Sequence, residues 1–202
     1  MKIYGHPMSQ HVRRIQMLCE EISTPYNFQP VALDKGEQYT EKFLEMNPNG
    51  KVPVIEDDGF VLWESHAIMR YIADKNKARK WYPTEPKARA SVEKWLDWNH
   101  TRLNPEVTTI VMNTIIFGDK GDKQAVVAAK KSLEKVLPVL ERALQSEHYL
   151  SGPEPTISDL SVVSTVSQLE MCNHDLSSYP AIGKWYGNMK RRPSFAKTAR
   201  NG

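Results

Sequence analysis

Cysteine is scarce in this sequence, and its scarcity excludes two classes of protein. The chain has 202 residues but only 2 cysteines, Cys19 and Cys172, which stand far apart and form no C-x-x-C pair. A small disulfide-stapled secreted protein needs more cysteines, and a thioredoxin-type redox pair needs that short spacing. We therefore expect both thiols to be reduced, as they are in the cytoplasm.

Long apolar runs are also missing. No stretch approaches the roughly 18 consecutive apolar residues that a membrane-spanning helix needs. The N-terminus reaches Pro7 without the apolar segment of roughly 7 to 15 residues that marks a signal peptide. We expect a cytoplasmic protein with no membrane partner.

Metal-ligand spacing and nucleic-acid signatures are lacking as well. The 6 histidines show no ligand spacing on one helix face, so we expect no metal. The net charge is +3, and much of the basic excess falls between Lys184 and Arg200. Aromatic side chains are too sparse there for a base-stacking platform, so we interpret this segment as a solvated basic tail and expect no nucleic-acid partner.

The sequence does contain two contrasting regions. Before about residue 77, short apolar runs alternate with helical patterns, which predicts a mixed α/β domain. The expected strands cover residues 2–4, 26–33, 52–55 and 60–63, and the expected helices cover 9–22, a short segment near Phe43, and 64–77.

Beyond residue 77 the strand signals disappear. A linker runs to about Pro86, and amphipathic helices are expected at 87–116 and 123–145, with further helices at 156–171 and from Pro180 to about residue 192. Thr156 and Asp159 form a capping-box pattern at the start of the third of these helices. The chain therefore predicts two domains, an α/β domain over 1–77 and an all-helical domain over 86–202.

Ser9 stands at the junction of the first strand and the first helix. Unpaired N–H groups and the positive end of the helix dipole favour an anion there, so a bound thiol would be acidified. Taken alone, however, Ser9 is more simply explained as an N-cap. Arg13, one turn later, either adds positive potential or pairs with a structural carboxylate.

Two later motifs leave similar pairs of explanations open. We predict a cis Val52-Pro53 bond, which would free the Val52 N–H and C=O to pair with a peptide ligand, although an edge strand can also tolerate proline. Glu64 and Ser65 open the next helix. They either cap it or receive an ammonium group and a carboxylate.

In their order along the chain, these motifs resemble the glutathione transferase family, especially its phi and theta-like classes. The segments that carry the resemblance are YGHPMSQHVRR, NPNGKVPVIEDDGFVLWES and TISDLSVV. The resemblance implies a thioredoxin-like N-terminal domain, an all-helical C-terminal domain and a homodimer. It also implies that glutathione binds as co-substrate at the domain boundary, and the chemistry of a thiolate needs no metal.

The resemblance also implies roles for individual residues. Ser9 matches the catalytic serine, whose hydroxyl holds the sulfur of glutathione as a thiolate. The positions that would contact the rest of glutathione are Gln38 and Lys51 at the glycine end, Val52 at the cysteinyl unit, and Glu64 with Ser65 at the γ-glutamyl end. Gln38 departs from related serine-type enzymes, which often carry histidine there. A cysteine-type member would need cysteine in place of Ser9.

The expected activity is conjugation of glutathione to small hydrophobic electrophiles. Glutathione-dependent peroxide reduction or dehalogenation would use the same site, and a non-catalytic glutathione-binding module would have the same fold. The electrophile pocket draws on several helices and cannot be assembled from periodicity, but Met8, Asn113 and Phe117 are candidates for it.

Overall fold

A computed structural model describes residues 1–199 of the chain. Arg200, Asn201 and Gly202, which end the expected helical domain and basic tail, lie outside the described residues. The chain divides into two compact units. The first contains residues 1–82 together with the segment that starts at Arg192, and the second contains residues 83–191.

A four-stranded sheet forms the centre of the first unit. Its strands are β1 (Lys2–Gly5), β2 (Asn27–Pro30), β3 (Val54–Asp57) and β4 (Phe60–Trp63), in the spatial order β2-β1-β3-β4. β1 pairs in parallel with β2 and antiparallel with β3, and β3 forms a hairpin with β4. All four expected strands are present, but β2 is shorter than the predicted segment 26–33. The Val31 N–H still donates to the Gly5 carbonyl at 2.8 Å, and the chain then leaves the sheet for the 3₁₀ turn at Leu33–Lys35.

Three helices accompany this sheet: α1 (Gln10–Glu21), α2 (Glu41–Met46) and α3 (Ser65–Lys75). Short 3₁₀ turns at Leu33–Lys35 and Glu37–Tyr39 connect β2 to α2. The predicted apolar face of α1 is buried at Val12, Ile15 and Leu18, and α1 packs against α3. A helical spacing of apolar residues was therefore a reliable guide to this core.

The second unit is built from helices α4 (Pro86–Trp98), α5 (Asn104–Val111), α6 (Lys123–Ser146), α7 (Ile157–Met171) and α8 (Pro180–Lys190). π-helical turns at Asn99–Leu103 and Met112–Ile116 interrupt the single helix expected over 87–116. Residues 157–169 of α7 are all buried, so α7 is the central helix of this unit. No helix within residues 1–199 is long and apolar enough to cross a membrane.

Asp159 ties the start of α7 to its surroundings. The predicted capping box is present, with the Asp159 carboxylate accepting the Thr156 N–H at 2.9 Å. The same carboxylate also accepts the Leu150 N–H and the Trp185 Nε1–H, each at 3.0 Å. Asp159 is fully buried, so these donors replace the water that its carboxylate has lost.

A final short helix, α9 (Pro193–Lys197), belongs to the first unit and packs on α1. The Arg192 guanidinium donates two hydrogen bonds to the Glu21 carboxylate, at 2.6 and 2.7 Å, and Lys197 pairs with Glu20 at 3.0 Å. The expectation of a solvated basic tail is therefore wrong for Arg192, which is 26% exposed and paired with Glu21, whereas Lys197 pairs with Glu20 but is 65% exposed. The expected second domain, 86–202, likewise differs from the compact unit, which ends at Arg191.

Candidate functional site

The proposed glutathione-binding segments all leave the sheet at one edge. β1 and β2 are parallel and end there, and the segments that follow them lead to Ser9 and to Gln38. β3 runs antiparallel to β1, so its start, preceded by Lys51 and Val52, lies at the same edge. β4 runs antiparallel to β3 and ends at that edge, directly before Glu64. Residues far apart in sequence thus reach one side of the sheet.

Ser9 is the N-cap of α1 and is partly exposed. Its Oγ accepts the Val12 N–H at 3.4 Å, which is longer than a typical hydrogen bond. Among residues 1–199, the Ser9 hydroxyl has no acceptor for its own proton. A hydroxyl with a spare proton at a helix N-terminus can donate to an anion, and the helix dipole favours the same anion.

Arg13 does not serve the Ser9 hydroxyl in the contacts described. Its Nη2 donates to the Phe195 carbonyl at 3.0 Å, and its guanidinium lies 4.0 Å from the centre of the Phe195 ring. Arg13 therefore joins α1 to α9. Of the two roles considered for Arg13, the structural one is closer to the observed geometry, since its described partners include a carbonyl and a ring of α9.

The predicted cis bond at Val52-Pro53 is confirmed. Val52 lies just before β3 and is partly buried, and no group in the described part of the chain pairs with its N–H or C=O. The turn before it is held by Asn47, which is buried and whose Nδ2 donates to the Lys51 carbonyl at 2.7 Å. The Val52 main chain is thus available for strand-like pairing with an extended peptide.

Gln38 lies in the 3₁₀ turn Glu37–Tyr39 and is 9% exposed. Its Nε2 donates to the Leu33 carbonyl at 3.4 Å, whereas its Oε1 is buried without a hydrogen-bond partner within the described residues. Gly50 fixes this turn against the Lys51 segment. Its φ of +59° and its close approach to the Tyr39 ring, 2.9 Å from an added Cβ, leave no room for a side chain.

Glu64 and Ser65 begin α3 in an unusual conformation. Glu64 has φ 72° and ψ 110°, outside the region that non-glycine residues favour, and its exposed side chain caps no helix N–H among the described residues. A strained residue at the edge of a site is a reason to consider a functional role. Ser65 is 7% exposed and occupies the first position of α3, where N–H groups attract a carboxylate.

Two residues that the sequence did not suggest, His11 and Arg14 of α1, contact this start of α3. The His11 Nδ1 lies 3.4 Å from the Ser65 Oγ, and the Arg14 Nη1 lies 2.8 Å from the His66 Nε2. Burial lowers the pKa of Arg14 to about 9, so it remains charged at neutral pH. Their only sequence signal was their place on one face of α1, because residues three or four apart share a face.

The candidates for the electrophile pocket are a mixed set. Both ends of the Asn113 amide have structural roles, since Nδ2 donates to the Thr109 carbonyl and Oδ1 accepts the Asp122 N–H, each at 2.8 Å. Phe117 is 51% exposed, and Met8 is partly buried. Asn113 therefore links α5 to the N-cap residue of α6, and because both ends of its amide are hydrogen-bonded it is a poor ligand for an electrophile.

Cys19 offers no alternative nucleophile. It is fully buried on α1, and burial raises the pKa of its thiol to about 12. A thiol with that pKa is almost entirely protonated at neutral pH and is a weak nucleophile. Cys19 is therefore a buried core residue and not a candidate nucleophile.

Comparison with known proteins places the chain in a class whose members combine a thioredoxin-like domain with a helical domain. Residues 1–74 match the family described as "Glutathione S-transferase, N-terminal domain", and residues 102–193 match "Glutathione S-transferase, C-terminal domain". The expected fold, a thioredoxin-like unit followed by a helical unit, is thereby confirmed.

Individual relatives agree with these matches over nearly the whole chain. A probable glutathione S-transferase GSTF2 of Oryza sativa subsp. japonica is 33% identical over 205 residues, which cover 98% of this chain and 95% of the relative. The crystal structure of glutathione transferase F7 from Populus trichocarpa is 30% identical with a TM-score of 0.90, and the match covers 98% of this chain and 96% of that one. The chain belongs to the glutathione S-transferase family.

Proposed function

We propose that this protein activates glutathione as a thiolate at Ser9 and conjugates it to small hydrophobic electrophiles. The observation that carries the proposal is the partly exposed Ser9 hydroxyl, which has a spare proton at the N-terminus of α1. Membership of the family supports it. A further similar structure, glutathione S-transferase-I, was solved with lactoylglutathione bound, at 30% identity, a TM-score of 0.90 and coverage of 98% of this chain and 97% of that one.

The other residues at the sheet edge bind the rest of glutathione. The exposed Glu64 carboxylate receives the γ-glutamyl ammonium group, and Ser65 with the α3 N-terminus receives the γ-glutamyl carboxylate. The free main-chain groups of Val52 pair with the cysteinyl unit. The exposed Lys51 ammonium attracts the glycine carboxylate, and Gln38 lies at that same end.

The energy needed for activation is within reach of these groups. A free thiol has a pKa of about 8.5, and lowering it by two units requires about 2.7 kcal/mol of preferential stabilisation of the thiolate. A hydrogen bond to a charged group contributes about 1.5 to 3 kcal/mol. The Ser9 hydroxyl, helped by the helix N-terminus, is therefore sufficient in magnitude.

Once the thiolate has formed, the reaction needs the sulfur and the electrophile to be held close together, and it needs no further acid or base group. The thiol proton passes to solvent on activation, and the sulfur lone pair attacks the electrophilic carbon. For an aryl halide, a carbon–sulfur bond forms and the halide leaves with the bonding electron pair. Holding both reactants together converts a bimolecular step into an effectively unimolecular one.

We also propose that the protein works as a homodimer in the cytoplasm. Support for the dimer comes from the family, and the free thiols Cys19 and Cys172 suit a reducing compartment. Light scattering at micromolar concentration should give about twice the mass of the 23.1 kDa chain. A mass of one chain over that range would contradict the dimer.

The activity is tested by measuring turnover with glutathione and four electrophile classes: aryl halides, alkyl halides, isothiocyanates and organic peroxides. We expect conjugation of an aryl halide above the uncatalysed rate, and loss of most of it in Ser9→Ala. Turnover of peroxides alone would favour peroxide reduction instead. Glutathione binding without turnover of any of the four would make the protein a binding module.

A further inference from the structure

A buried arginine connects the first helix to the start of the third. Arg14 is 1% exposed, and its guanidinium lies 2.8 Å from the His66 Nε2 and 3.3 Å from the Gln10 Oε1. A guanidinium can only donate hydrogen bonds. The His66 Nε2 must therefore be an acceptor in this contact, which fixes the imidazole in the tautomer that carries its proton on Nδ1.

The position of His66 gives this contact its significance. His66 is the second residue of α3, and it follows Ser65 and the strained Glu64. Ser65, the residue between them, is itself touched by His11 of α1, with 3.4 Å between Nδ1 and Oγ. Two side chains of α1 thus hold the two residues that immediately follow Glu64.

A strained backbone conformation persists only where its surroundings hold it. Glu64 has a positive φ of 72°, and its own side chain is exposed, so the restraint must come from neighbouring residues. The Glu64 carbonyl accepts the Ile68 N–H of α3 at 2.9 Å, and the described side-chain contacts that follow Glu64 are the His11–Ser65 contact and the Arg14–His66 contact. Of the two side-chain contacts, the one with the charged guanidinium is shorter, 2.8 against 3.4 Å, and hydrogen bonds to charged groups are the stronger kind.

We propose that Arg14 and His66 are positioning residues for γ-glutamyl recognition, because their contact holds Glu64 in the conformation that presents its carboxylate to glutathione. The inference rests on the proposed function and extends it to residues that do not touch the substrate. It also means that α1 serves two parts of glutathione, the cysteinyl thiol and the γ-glutamyl end. Ser9 acts on the thiol, and Arg14 acts through His66 on the γ-glutamyl end.

The test replaces the acceptor and then restores it. His66→Leu removes the acceptor at similar size, whereas His66→Gln keeps an oxygen that can accept from Arg14. Tyr71→Phe is a matched control, because it removes a 2.8 Å hydrogen bond to Asp57 from the same helix, away from its start. Glutathione affinity is measured by calorimetry, with kcat and KM for an aryl halide and the melting temperature of each variant.

We expect His66→Leu to raise the dissociation constant of glutathione about tenfold while kcat at saturating glutathione stays within about twofold. His66→Gln should recover most of the glutathione affinity. Tyr71→Phe should lower the melting temperature without changing the glutathione affinity. In a Glu64→Ala background, His66→Leu should cause little further loss, since its effect passes through Glu64. His66 is only partly buried, and His66→Ala provides the same comparison if the leucine variant does not fold.

Three results would overturn the inference while leaving the proposed function intact: unchanged glutathione affinity in a folded His66→Leu, no recovery in His66→Gln, or fully additive losses with Glu64→Ala. Failure of the wild-type protein to bind glutathione is a different result. It would overturn the proposed function, and the inference with it.

Discussion

Replacing Ser9 with alanine removes the proposed hydrogen-bond donor to the sulfur and very little else. The Ser9 Oγ accepts only one long hydrogen bond, from the Val12 N–H at 3.4 Å. Loss of a good N-cap costs about 1 kcal/mol, and a long bond places Ser9 near the lower end of that range. In a protein of this size 1 kcal/mol shifts the melting temperature by about 2 to 4 °C, so we expect a shift of about 2 °C or less.

The effect on the thiolate should be far larger. Losing a hydrogen bond of about 1.5 to 3 kcal/mol to a charged sulfur raises the pKa of the bound thiol by about one to two units. If that pKa moves from about 6.5 to about 8.5, the thiolate fraction at pH 7 falls from about three quarters to a few per cent, and turnover falls by about 25-fold. Activity should recover in alkaline buffer, because the thiolate then forms without help.

The assay is the ultraviolet absorbance of the thiolate, followed against pH in the glutathione complexes of both proteins. Glutathione affinity should change little, because the hydrogen bond is stronger to the thiolate than to the thiol. Ser9→Thr is the matched control, since it keeps a hydroxyl at the same position and should retain most of the shift. Coincident titration curves for wild type and Ser9→Ala would refute the assignment and leave Ser9 as an N-cap only.

Three further predictions concern residues elsewhere. Glu64→Ala should weaken glutathione binding more than it lowers kcat, and calorimetry showing wild-type affinity would end the assignment of Glu64 to the γ-glutamyl ammonium. Asp159→Ala should destabilise the fold by about 3 to 5 kcal/mol in chemical denaturation, because it leaves three buried donors unpaired; a loss under 1 kcal/mol would contradict this. Burial alone would raise the pKa of Glu21, but hydrogen bonds from Arg192 and Ser194 outweigh it and hold that pKa below its usual 4.5. Wild type should therefore melt above Glu21→Gln at pH 7, and the gap should close as pH falls below about 4.5, whereas a constant gap would exclude this linkage.

Local patterns were sufficient to predict most elements of the fold. Short apolar runs marked the strands, a helical spacing of apolar residues marked α1, and the capping box at Thr156 and Asp159 marked the start of α7. Each of these signals lies within a few residues of the feature it predicts. The cis bond at Val52-Pro53 was predicted in the same way, because cis peptides are almost confined to proline.

Contacts between distant segments were the part that sequence patterns did not reveal. Arg14 and His66 are 52 positions apart, and Arg192 pairs with Glu21 across 171 positions. Such pairs depend on how elements pack, and periodicity specifies only which face of an element is buried. The same limit explains why the basic segment near the C-terminus was interpreted as solvated, although Arg192 and Lys197 pair with acidic side chains of α1.

The pairing of α9 with α1 has a consequence for the order of synthesis. Because α9 follows the second unit in the chain but belongs to the first, the first unit is interrupted by the whole of residues 83–191. At a translation rate of about 5 to 20 residues per second, a ribosome needs roughly 5 to 20 s to make that insertion. Throughout that time the residues of the sheet and Ser9 have been synthesised but those of α9 have not. Glu20 and Glu21 therefore lack their partners Lys197 and Arg192 until the end of synthesis.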